Sequence, residues 1–259
     1  MLSFCGEKYR RRYILGERIS SGVELLVGKA TDSTVNANLG NKIVNDDLLP
    51  MEQIKDLACD YLNTEWNQGE VALDEDEIKE GIKKVKGGAV DKSVRLSCLH
   101  ASEIAPALSP THVQRKWEIE LKNYPFDLMG FIDVQEGTHA VRDTKTSGKS
   151  PAKNAADTSD QLTMYAMAVY ALDKMLPEKL TLDFLVDNKT PKSVIVETTR
   201  TLEDFKPILA RIENAIQVIE KGIFVPAAQD SWGCSPKWCG FFRTCKYARQ
   251  SIFPVNGGN

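Results

Sequence analysis

Three charged residues in the middle of the chain have the types and spacing of a site that handles a metal ion or a phosphate. Asp133 stands near the end of the apolar segment G-F-I-D-V, where neutral neighbours do not normally accompany a carboxylate. Asp143 and Lys145 lie two residues apart on the next predicted strand, so both side chains project from the same face. A hairpin that turns near Gly137 and Thr138 brings Asp133 beside or diagonal to Asp143, whereas a slip of one residue would put them on opposite faces.

Two carboxylates that converge in this way repel each other unless a cation neutralises them. Hard oxygen ligands of this kind favour Mg²⁺ or Mn²⁺. A lysine beside such a site, here Lys145, can orient or deprotonate a water and offset the charge that builds on a phosphate. The tripeptide D-x-K alone is common, and Asp143 and Lys145 could instead be a solvated ion pair on an edge strand. The sequence therefore indicates a candidate divalent-metal site and leaves this alternative open.

A further pair of candidates follows on the next predicted helix. Gln161 and Tyr165 are four residues apart, which places both side chains on one helical face. They can face the same site as the carboxylates. The alternative is that Tyr165 fills the core while Gln161 caps the helix or faces solvent.

The segments around these residues predict the elements that position them. Alternating apolar residues and turn signals indicate strands over 113–121, 126–134, 139–146, 181–187 and 193–199. Helical spacing indicates helices over 48–67, 74–86, about 91–105, 158–174 and about 202–222. Gly87 and Gly88 are expected to end the second helix, and Thr158 or Ser159 to cap the fourth.

This order, a helical part followed by β-β-β-α-β-β-α, predicts one α/β domain with a mixed sheet. We expect a single domain over residues 1–259. Its helical part covers about 45–110 and its core about 113–199. The C-terminal helix and the cysteine segment cover 200–249.

The three motifs G-F-I-D-V, D-T-K and Q-L-T-M-Y together resemble those of the PD-(D/E)xK nuclease superfamily, in its RecB-like and AddB-like branch. The resemblance implies that Asp133 and Asp143 bind a catalytic Mg²⁺ or Mn²⁺ and that Lys145 assists the attacking water. It implies that Gln161 and Tyr165 line the side that faces DNA. It also implies a restriction-endonuclease-like fold, a mixed β-sheet core flanked by helices.

One position departs from that family pattern. Many RecB-like nucleases carry G-x-x-x-H on an early helix, with the histidine at the metal. The best local match here runs from Gly28 to Asp32, so an aspartate stands where the histidine would be. Asp32 is either a substitute oxygen ligand for the metal or an accidental match.

The cysteines form a second candidate site. Cys234, Cys239 and Cys245 have the spacing C-x₄-C-x₅-C, and a tetrahedral thiolate site needs a fourth ligand. Cys59 and Cys98 lie in predicted helices and are interpreted as buried free thiols. Cys5 instead stands among aromatic and basic residues like those around the C-terminal trio.

This arrangement resembles the RecB-like subset with an iron–sulfur cluster, as in AddB and the CRISPR-adaptation nucleases. The resemblance implies that Cys5, Cys234, Cys239 and Cys245 hold a [4Fe–4S] cluster that staples the two termini together. Zn²⁺ on the same four thiolates is the alternative, because local spacing does not separate the two.

Composition limits the classes of protein and partner. Of 259 residues, 42% are hydrophobic and 27% charged, which is ordinary for a globular protein. No run of 18 apolar residues exists and no secretory signal is expected, so we expect no membrane contact and a cytoplasmic location, that of the host if the chain is phage-encoded. Six cysteines are too few for a disulfide scaffold. The net charge of −3 provides no overall basic field for nucleic acid.

Any nucleic-acid partner must therefore be held by a local patch. The staple implied by the resemblance would gather basic residues from both termini, namely Arg10, Arg11, Arg12, Lys237, Arg243 and Lys246. These alternate with aromatic residues, namely Tyr9, Trp238, Phe241, Phe242 and Tyr247. Cations that meet phosphates and rings that stack on bases suit single-stranded DNA. The alternative is that the rings pack around the cluster and the charges are only solvated.

Together these features predict a metal-dependent deoxyribonuclease, with exonuclease activity favoured by the resemblance, that acts in recombination, repair or processing of DNA. DNA ends or single strands are the expected substrate, with a recombination protein or a single-strand-binding protein as a further partner. Three alternatives stay open. One is a non-cleaving DNA-binding adaptor that keeps the fold and the cluster, another is a CRISPR-adaptation-type nuclease, and the last is a zinc-stapled protein without a nucleic-acid role.

Overall fold

A computed structural model of the protein describes residues 2, 4–69, 71–122, 127–137, 139–236 and 238–249. Lys237 of the expected basic patch and Thr138 of the expected hairpin lie outside the described residues. No helix of the described chain is long and apolar enough to cross a membrane.

Helices dominate the first hundred residues, and the main strands follow. The α-helices of the described chain are α1 (Gly6–Tyr9), α2 (Val23–Asn45), α3 (Met51–Asn67), α4 (Glu75–Glu80), α5 (Ile82–Glu103), α6 (Asp160–Asp173) and α7 (Phe205–Glu220). The strands are β1 (Ser21–Gly22), β2 (Val71–Ala72), β3 (His112–Ile119), β4 (Leu128–Glu136), β5 (Ala140–Ser147), β6 (Lys179–Val186) and β7 (Lys192–Thr198). A π-helical turn covers Arg10–Ile14, and short 3₁₀ turns cover Ala105–Ala107, Leu202–Asp204 and Phe242–Thr244.

The main sheet of the described chain has five strands in the order β3-β4-β5-β6-β7. The β5–β6 pair is parallel, and the β3–β4, β4–β5 and β6–β7 pairs are antiparallel. The parallel pair is possible because α6 crosses between β5 and β6. The sheet is therefore mixed and flanked by helices, which confirms the predicted fold class in its architecture.

Two apolar cores lie on opposite faces of this sheet. The first joins α2, α3 and α5 to the sheet through Val134 and Leu185. The second joins α6 and α7 to it through Ile132, Val141 and Leu180. Leu180 and Leu185 differ by an odd number of positions along β6, so they point to opposite faces. The helical part and the helices that follow the core strands thus sandwich the sheet.

Two features of the helical part differ from the sequence-based expectation. The helix α2 over Val23–Asn45 was not predicted, because Thr31, Thr34 and Asn38 occupy its buried face and interrupt the apolar stripe. The expected stop at Gly87 and Gly88 is wrong, since α5 runs through both glycines to Glu103.

The break between helices falls instead at Gly81, whose φ of 92° is accessible to glycine and ends α4. The packing of α5 against α2 and α3, through Val85, Ala89 and Leu96, overrides the low helix propensity of the two later glycines.

Candidate active site and cysteine cavity

Asp133 lies where the strand ladders around β4 are interrupted. Between β3 and β4, Val113 pairs with Val134 and Arg115 with Ile132, and the position between them has no ladder partner. Between β4 and β5 the pairing ends at Val134 with Arg142, one residue short of Asp133 and Asp143. The two strands separate at this point, which leaves both carboxylates outside the regular ladder.

The glycine of G-F-I-D-V has a packing role three residues before Asp133. A Cβ on Gly130 would lie 2.6 Å from Cζ2 of Trp117, a buried side chain on β3. Glycine at this position therefore lets the Trp117 ring lie directly on β4 and hold the two strands together.

Five side chains from three elements form one connected group, which we call the carboxylate network: Asp133, Asp143, Lys145, Gln161 and Tyr165. The hydroxyl of Tyr165 lies 3.2 Å from Oδ1 of Asp133 and 3.4 Å from Oδ1 of Asp143, within hydrogen-bond distance of both. Nζ of Lys145 lies 2.7 Å from Oδ2 of Asp143 and donates to Oε1 of Gln161 at 2.7 Å. Nε2 of Gln161 donates to the Tyr165 hydroxyl at 2.8 Å. The structure thus brings all five residues together.

The helix α6 holds its two contributing residues by its capping and by an anchored arginine. The hydroxyl of Ser159 accepts from the Leu162 amide and caps the helix, one of the two expected positions. Arg200 donates to the carbonyls of Ala156 and Asp157 and to the Thr163 hydroxyl, which fixes the segment that enters the helix. The Tyr165 ring is buried in the second core, and its hydroxyl contacts the carboxylates of Asp133 and Asp143.

Burial and mutual repulsion shift the pKa values in this site. Burial, together with the neighbouring charge of Asp133, raises the pKa of Asp143 to about 7, although Lys145 opposes the shift. Burial also raises the pKa of the Tyr165 phenol, with a further contribution from both carboxylates. Burial is the largest cause of the raised Asp143 pKa, and the repulsion from Asp133 adds to it.

The donor set fits a divalent cation of the Mg²⁺ type. Oδ2 of Asp143 is buried, and its partner is the ammonium group of Lys145 at 2.7 Å. Within the described residues, no three His, Cys, Asp or Glu side chains are arranged to hold a metal ion. Mg²⁺ usually uses one or two protein carboxylates and completes its shell with water and substrate phosphate. Asp133 and Asp143 supply that number.

Asp32 lies on α2 near these carboxylates. Burial raises its pKa to about 6, and the charge of Asp133 contributes to the shift. The amide of Asn36 donates to Oδ2 of Asp32 at 3.1 Å, while the Oδ1 atom of the same amide is buried without a partner. Asp32 therefore belongs to the electrostatic surroundings of the carboxylate network, although it does not join Asp133 and Asp143 in a three-carboxylate group.

Two side chains near the site were missed from the sequence. Asn36 is four residues after Asp32 on α2, so the i, i+4 spacing would have indicated it once the helix was known. Gln114 on β3 donates from Nε2 to Oδ1 of Asp133 at 3.4 Å, and no sequence pattern indicates it.

The four cysteines expected to form one site, Cys5, Cys234, Cys239 and Cys245, line a single cavity of about 20 Å³, which we call the cysteine cavity. The N- and C-terminal segments meet here, and the Gly6 amide donates to the Val225 carbonyl at 2.7 Å. The volume is close to that of one water molecule, which is enough for a single metal ion but smaller than a [4Fe–4S] cluster. Cys59 and Cys98 are half-buried free thiols away from this cavity.

Burial and mutual electrostatic interaction shift the pKa values of thiols in the cysteine cavity. Burial raises the pKa of Cys234, and the charges of the other three cysteines raise it further. Burial also raises the pKa of Cys239. The backbone amides of Lys8 and Ala227 each lie 3.4 Å from Sγ of Cys5, within hydrogen-bond distance of a sulfur. In the described part of the chain, these cysteines are not arranged as a group that could hold a metal ion.

The basic residues beside the cysteine cavity differ in how far their charges are already paired within the protein. Arg10 forms a paired contact with Glu7, with nitrogen–oxygen distances of 2.8 and 2.9 Å. Arg11 bonds to Glu17 and lies 4.4 Å from the centroid of the Phe241 ring. Arg12 lies 5.5 Å from the Tyr13 ring. The charges of Arg10 and Arg11 are thus largely neutralised by ion pairs with Glu7 and Glu17.

The aromatic residues of this region also divide into two groups. Phe241 and Phe242 are buried, so the expectation that they stack on bases is wrong. Trp238 and Tyr247 are exposed, and the Trp238 ring meets the Trp232 ring edge-on at 5.5 Å. Lys246 lies 4.9 Å from the Tyr247 centroid, and Arg243 has contacts within the protein.

Comparison with known proteins identifies a family and similar solved structures. A model of the PD-(D/E)XK nuclease superfamily matches residues 2–247. The crystal structure of a "Putative exonuclease" from Eubacterium rectale is 15% identical with a TM-score of 0.55, and the match covers 98% of this chain and 87% of that one. This similarity concerns the fold alone. The structure of SSO0001 is 14% identical and covers 89% of this chain and 87% of that one, but its TM-score of 0.34 supports no conclusion. No curated protein matches the chain.

Proposed function

The chain belongs to the PD-(D/E)XK nuclease superfamily, and from this premise we propose that it is a metal-dependent DNA exonuclease that hydrolyses phosphodiester bonds at the carboxylate network. The observation that supports this most strongly is the convergence of Asp133, Asp143 and Lys145 around the Tyr165 hydroxyl. A structural ion pair would need only Asp143 and Lys145. The second carboxylate costs free energy through repulsion, which is explained if the pair serves a cation and a phosphate.

Each residue of the carboxylate network has a role that its contacts support. Asp133 and Asp143 are the residues that would hold Mg²⁺ or Mn²⁺. Such a cation polarises a phosphate and lowers the pKa of a bound water. Lys145 lies at Asp143, where its ammonium group can orient the attacking water and offset charge on the phosphate. Gln161 accepts from Lys145 and donates to Tyr165, and so holds both in place.

Asp32 is proposed as an oxygen ligand that replaces the histidine of related nucleases. Its raised pKa and its interaction with Asp133 support a location at the edge of the metal site. A carboxylate in place of an imidazole favours hard cations such as Mg²⁺ and Mn²⁺ over softer ones. Asn36 would fix the orientation of the Asp32 side chain through its hydrogen bond to Oδ2.

The cysteine cavity is proposed to hold a [4Fe–4S] cluster on Cys5, Cys234, Cys239 and Cys245, with Zn²⁺ as the alternative. The gathering of these four thiols from both ends of the chain supports this proposal. Their location at the junction of the termini supports a structural role for the bound group. If this cluster is present, the protein would belong to the RecB-like and AddB-like branch, and we propose a role in recombination, repair or processing of DNA.

The activity can be tested with end-labelled linear DNA and closed circular DNA, each incubated with Mg²⁺, Mn²⁺ or EDTA under anaerobic conditions. We expect metal-dependent loss of linear DNA only, and no loss with the variant Asp143→Asn. Cleavage of circles as well would make the protein an endonuclease. Cleavage that persists in EDTA or in Asp143→Asn would contradict the proposed site.

A second candidate function is supported by the aspartate at position 32. A protein without the family histidine could bind DNA without cutting it, as an adaptor. DNA binding without cleavage in any metal would favour this function. The presence of Asp133 beside Asp143 argues against it, since a second carboxylate repels the phosphates of DNA unless a cation is bound.

A further inference from the structure

Gln114 has an unusual backbone conformation beside Asp133. Among the described residues, positive φ outside glycine occurs at three positions, and two of them, Asp46 and Lys174, end helices. Gln114 is the third, with φ of 52°, and it lies inside strand β3. The left-handed region is unfavourable for a residue with a side chain, and such residues cluster at functional sites.

The neighbouring residues hold Gln114 in this conformation from both sides. Val113 pairs with Val134 and Arg115 pairs with Ile132, so the ladder is regular on either side of the irregular residue. Both terminal nitrogens of Arg115 bond to the carboxylate of Asp173 on α6, each at 2.7 Å. An unfavourable backbone conformation persists only where the surroundings fix it in this way.

The side chain of Gln114 contacts a carboxylate of the proposed metal site. Its Nε2 lies 3.4 Å from Oδ1 of Asp133, the same oxygen that the Tyr165 hydroxyl contacts at 3.2 Å. The Gln114 amide and the Tyr165 hydroxyl thus both contact Oδ1 rather than Oδ2 of Asp133.

We propose that Gln114 is a positioning residue that fixes the Asp133 carboxylate, so that Oδ2 faces the metal and the phosphate. This inference rests on the proposed nuclease function. An amide suits the role because it donates a hydrogen bond without adding charge. It therefore neither competes for the cation nor repels Asp133. Groups that orient metal ligands affect metal affinity although they do not touch the metal.

Two substitutions distinguish the effect of the Gln114 side-chain amide from the effect of its backbone conformation. Gln114→Ala removes the amide and keeps a Cβ in the left-handed region, whereas Gln114→Gly removes both. Asp46→Gly is the matched control, because it relieves the same conformation at an exposed helix end. The probes are Mn²⁺ binding to the protein without DNA and thermal unfolding in EDTA.

We expect both Gln114 variants to bind Mn²⁺ about 10-fold or more weakly than wild type. We also expect Gln114→Gly to melt at a higher temperature than Gln114→Ala, although glycine in a strand is normally the less stable of the two. Asp46→Gly should bind Mn²⁺ as wild type does.

Wild-type Mn²⁺ affinity in both Gln114 variants would overturn the positioning role. A melting temperature of Gln114→Gly at or below that of Gln114→Ala would overturn the part of the proposal that concerns the backbone. Wild-type protein that binds no Mn²⁺ would overturn the whole proposal. Wild-type protein that binds Mn²⁺ and loses affinity in the Gln114 variants, but cleaves no DNA, would support the positioning role and contradict the nuclease function.

Discussion

The carboxylate network and the cysteine cavity are both built from residues far apart in sequence, but they are held in different ways. The carboxylate network is fixed by two strands, a capped helix and direct contacts between its own side chains. The cysteine cavity is formed where two terminal segments meet, joined by a backbone hydrogen bond of Gly6 and by side-chain contacts of Lys8 and Arg11. The side chains of the carboxylate network are thus held in place without a ligand. The four cysteines of the cysteine cavity lie close together but are not bonded to one another.

This difference predicts how each site is coupled to the stability of the fold. Strand and helix packing positions Asp133, Asp143 and Tyr165 before any ligand binds, so the fold stabilises the site. At the cysteine cavity the relation is reversed, because a group bound to four thiolates would join the two ends of the chain and stabilise the fold. Removing a ligand residue should therefore affect activity at the first site and folding at the second.

The largest effect is expected from Cys239→Ala, compared with Cys59→Ala on α3. A bound group that links Cys5 to the C-terminal cysteines closes nearly the whole chain, worth about 5 kcal/mol in loop-entropy models. Cys239→Ala should lose most of its soluble yield and its visible absorbance, while Cys59→Ala keeps both. Metal analysis of wild type distinguishes iron from zinc. A soluble Cys239→Ala protein with unchanged absorbance would contradict the staple.

The next effect concerns the pH dependence of stability without metal. The pKa of Asp143 is raised to about 7 by burial, and an unfolded aspartate titrates near 3.9. The folded protein therefore binds the proton more tightly, and its stability falls as pH rises from about 4 through 7. We expect this decline in EDTA by thermal unfolding. Asp143→Asn should show a shallower decline, because Asp32, whose pKa is raised to about 6, still contributes.

Added Mg²⁺ should restore the stability of wild type at pH 7, because the cation replaces the proton at the carboxylates. The same addition should not change Asp143→Asn. A wild-type profile in EDTA that rises between pH 4 and 7 as a result of Asp143 would contradict the raised pKa.

A moderate effect is expected from Tyr165→Phe. The ring stays buried in the second core, and only the hydroxyl that contacts Asp133 and Asp143 is removed. We expect a loss of roughly 10-fold in cleavage rate and about 1 kcal/mol or less of stability. Tyr170→Phe, on the exposed side of the same helix, is the control and should leave both unchanged. Equal effects from the two substitutions would show that the hydroxyl has no role in the site.

The smallest effect is expected at the basic residues beside the cysteine cavity. Arg12→Ala and Lys246→Ala should each weaken DNA binding and reduce its salt dependence by about one phosphate contact. Arg10→Ala should have a smaller effect on binding, because Arg10 is already paired with Glu7. DNA binding measured at several salt concentrations compares the three. A larger loss for Arg10→Ala than for Arg12→Ala would reverse this assignment.

The regular parts of the core could be predicted from the sequence because their signals are local. Alternation in the strands and helical spacing around Tyr165 indicated the mixed sheet and the helix that crosses it. The spacing of Asp143 and Lys145 placed both on one face, and their contact at 2.7 Å follows from it.

The parts that could not be predicted depend on tertiary contacts. The helix α2 has buried Thr31 and Asn38 on its packed face, which conceals its amphipathic pattern. The left-handed backbone of Gln114 is not signalled by the sequence, and the neighbouring Arg115 pairs with Asp173, 58 residues away. The internal pairing of Arg10 with Glu7 likewise requires the folded terminus.

The most direct test of the account compares wild type, Lys145→Ala and Lys189→Ala on end-labelled linear DNA with Mg²⁺, after equal folding is established by circular dichroism. Lys189 is an exposed lysine in the turn between β6 and β7, so it controls for lost positive charge. We predict that wild type and Lys189→Ala degrade the DNA only with metal, and that Lys145→Ala is about 100-fold slower or worse. Equal rates for all three proteins, or no cleavage by wild type with Mg²⁺ or Mn²⁺, would contradict it.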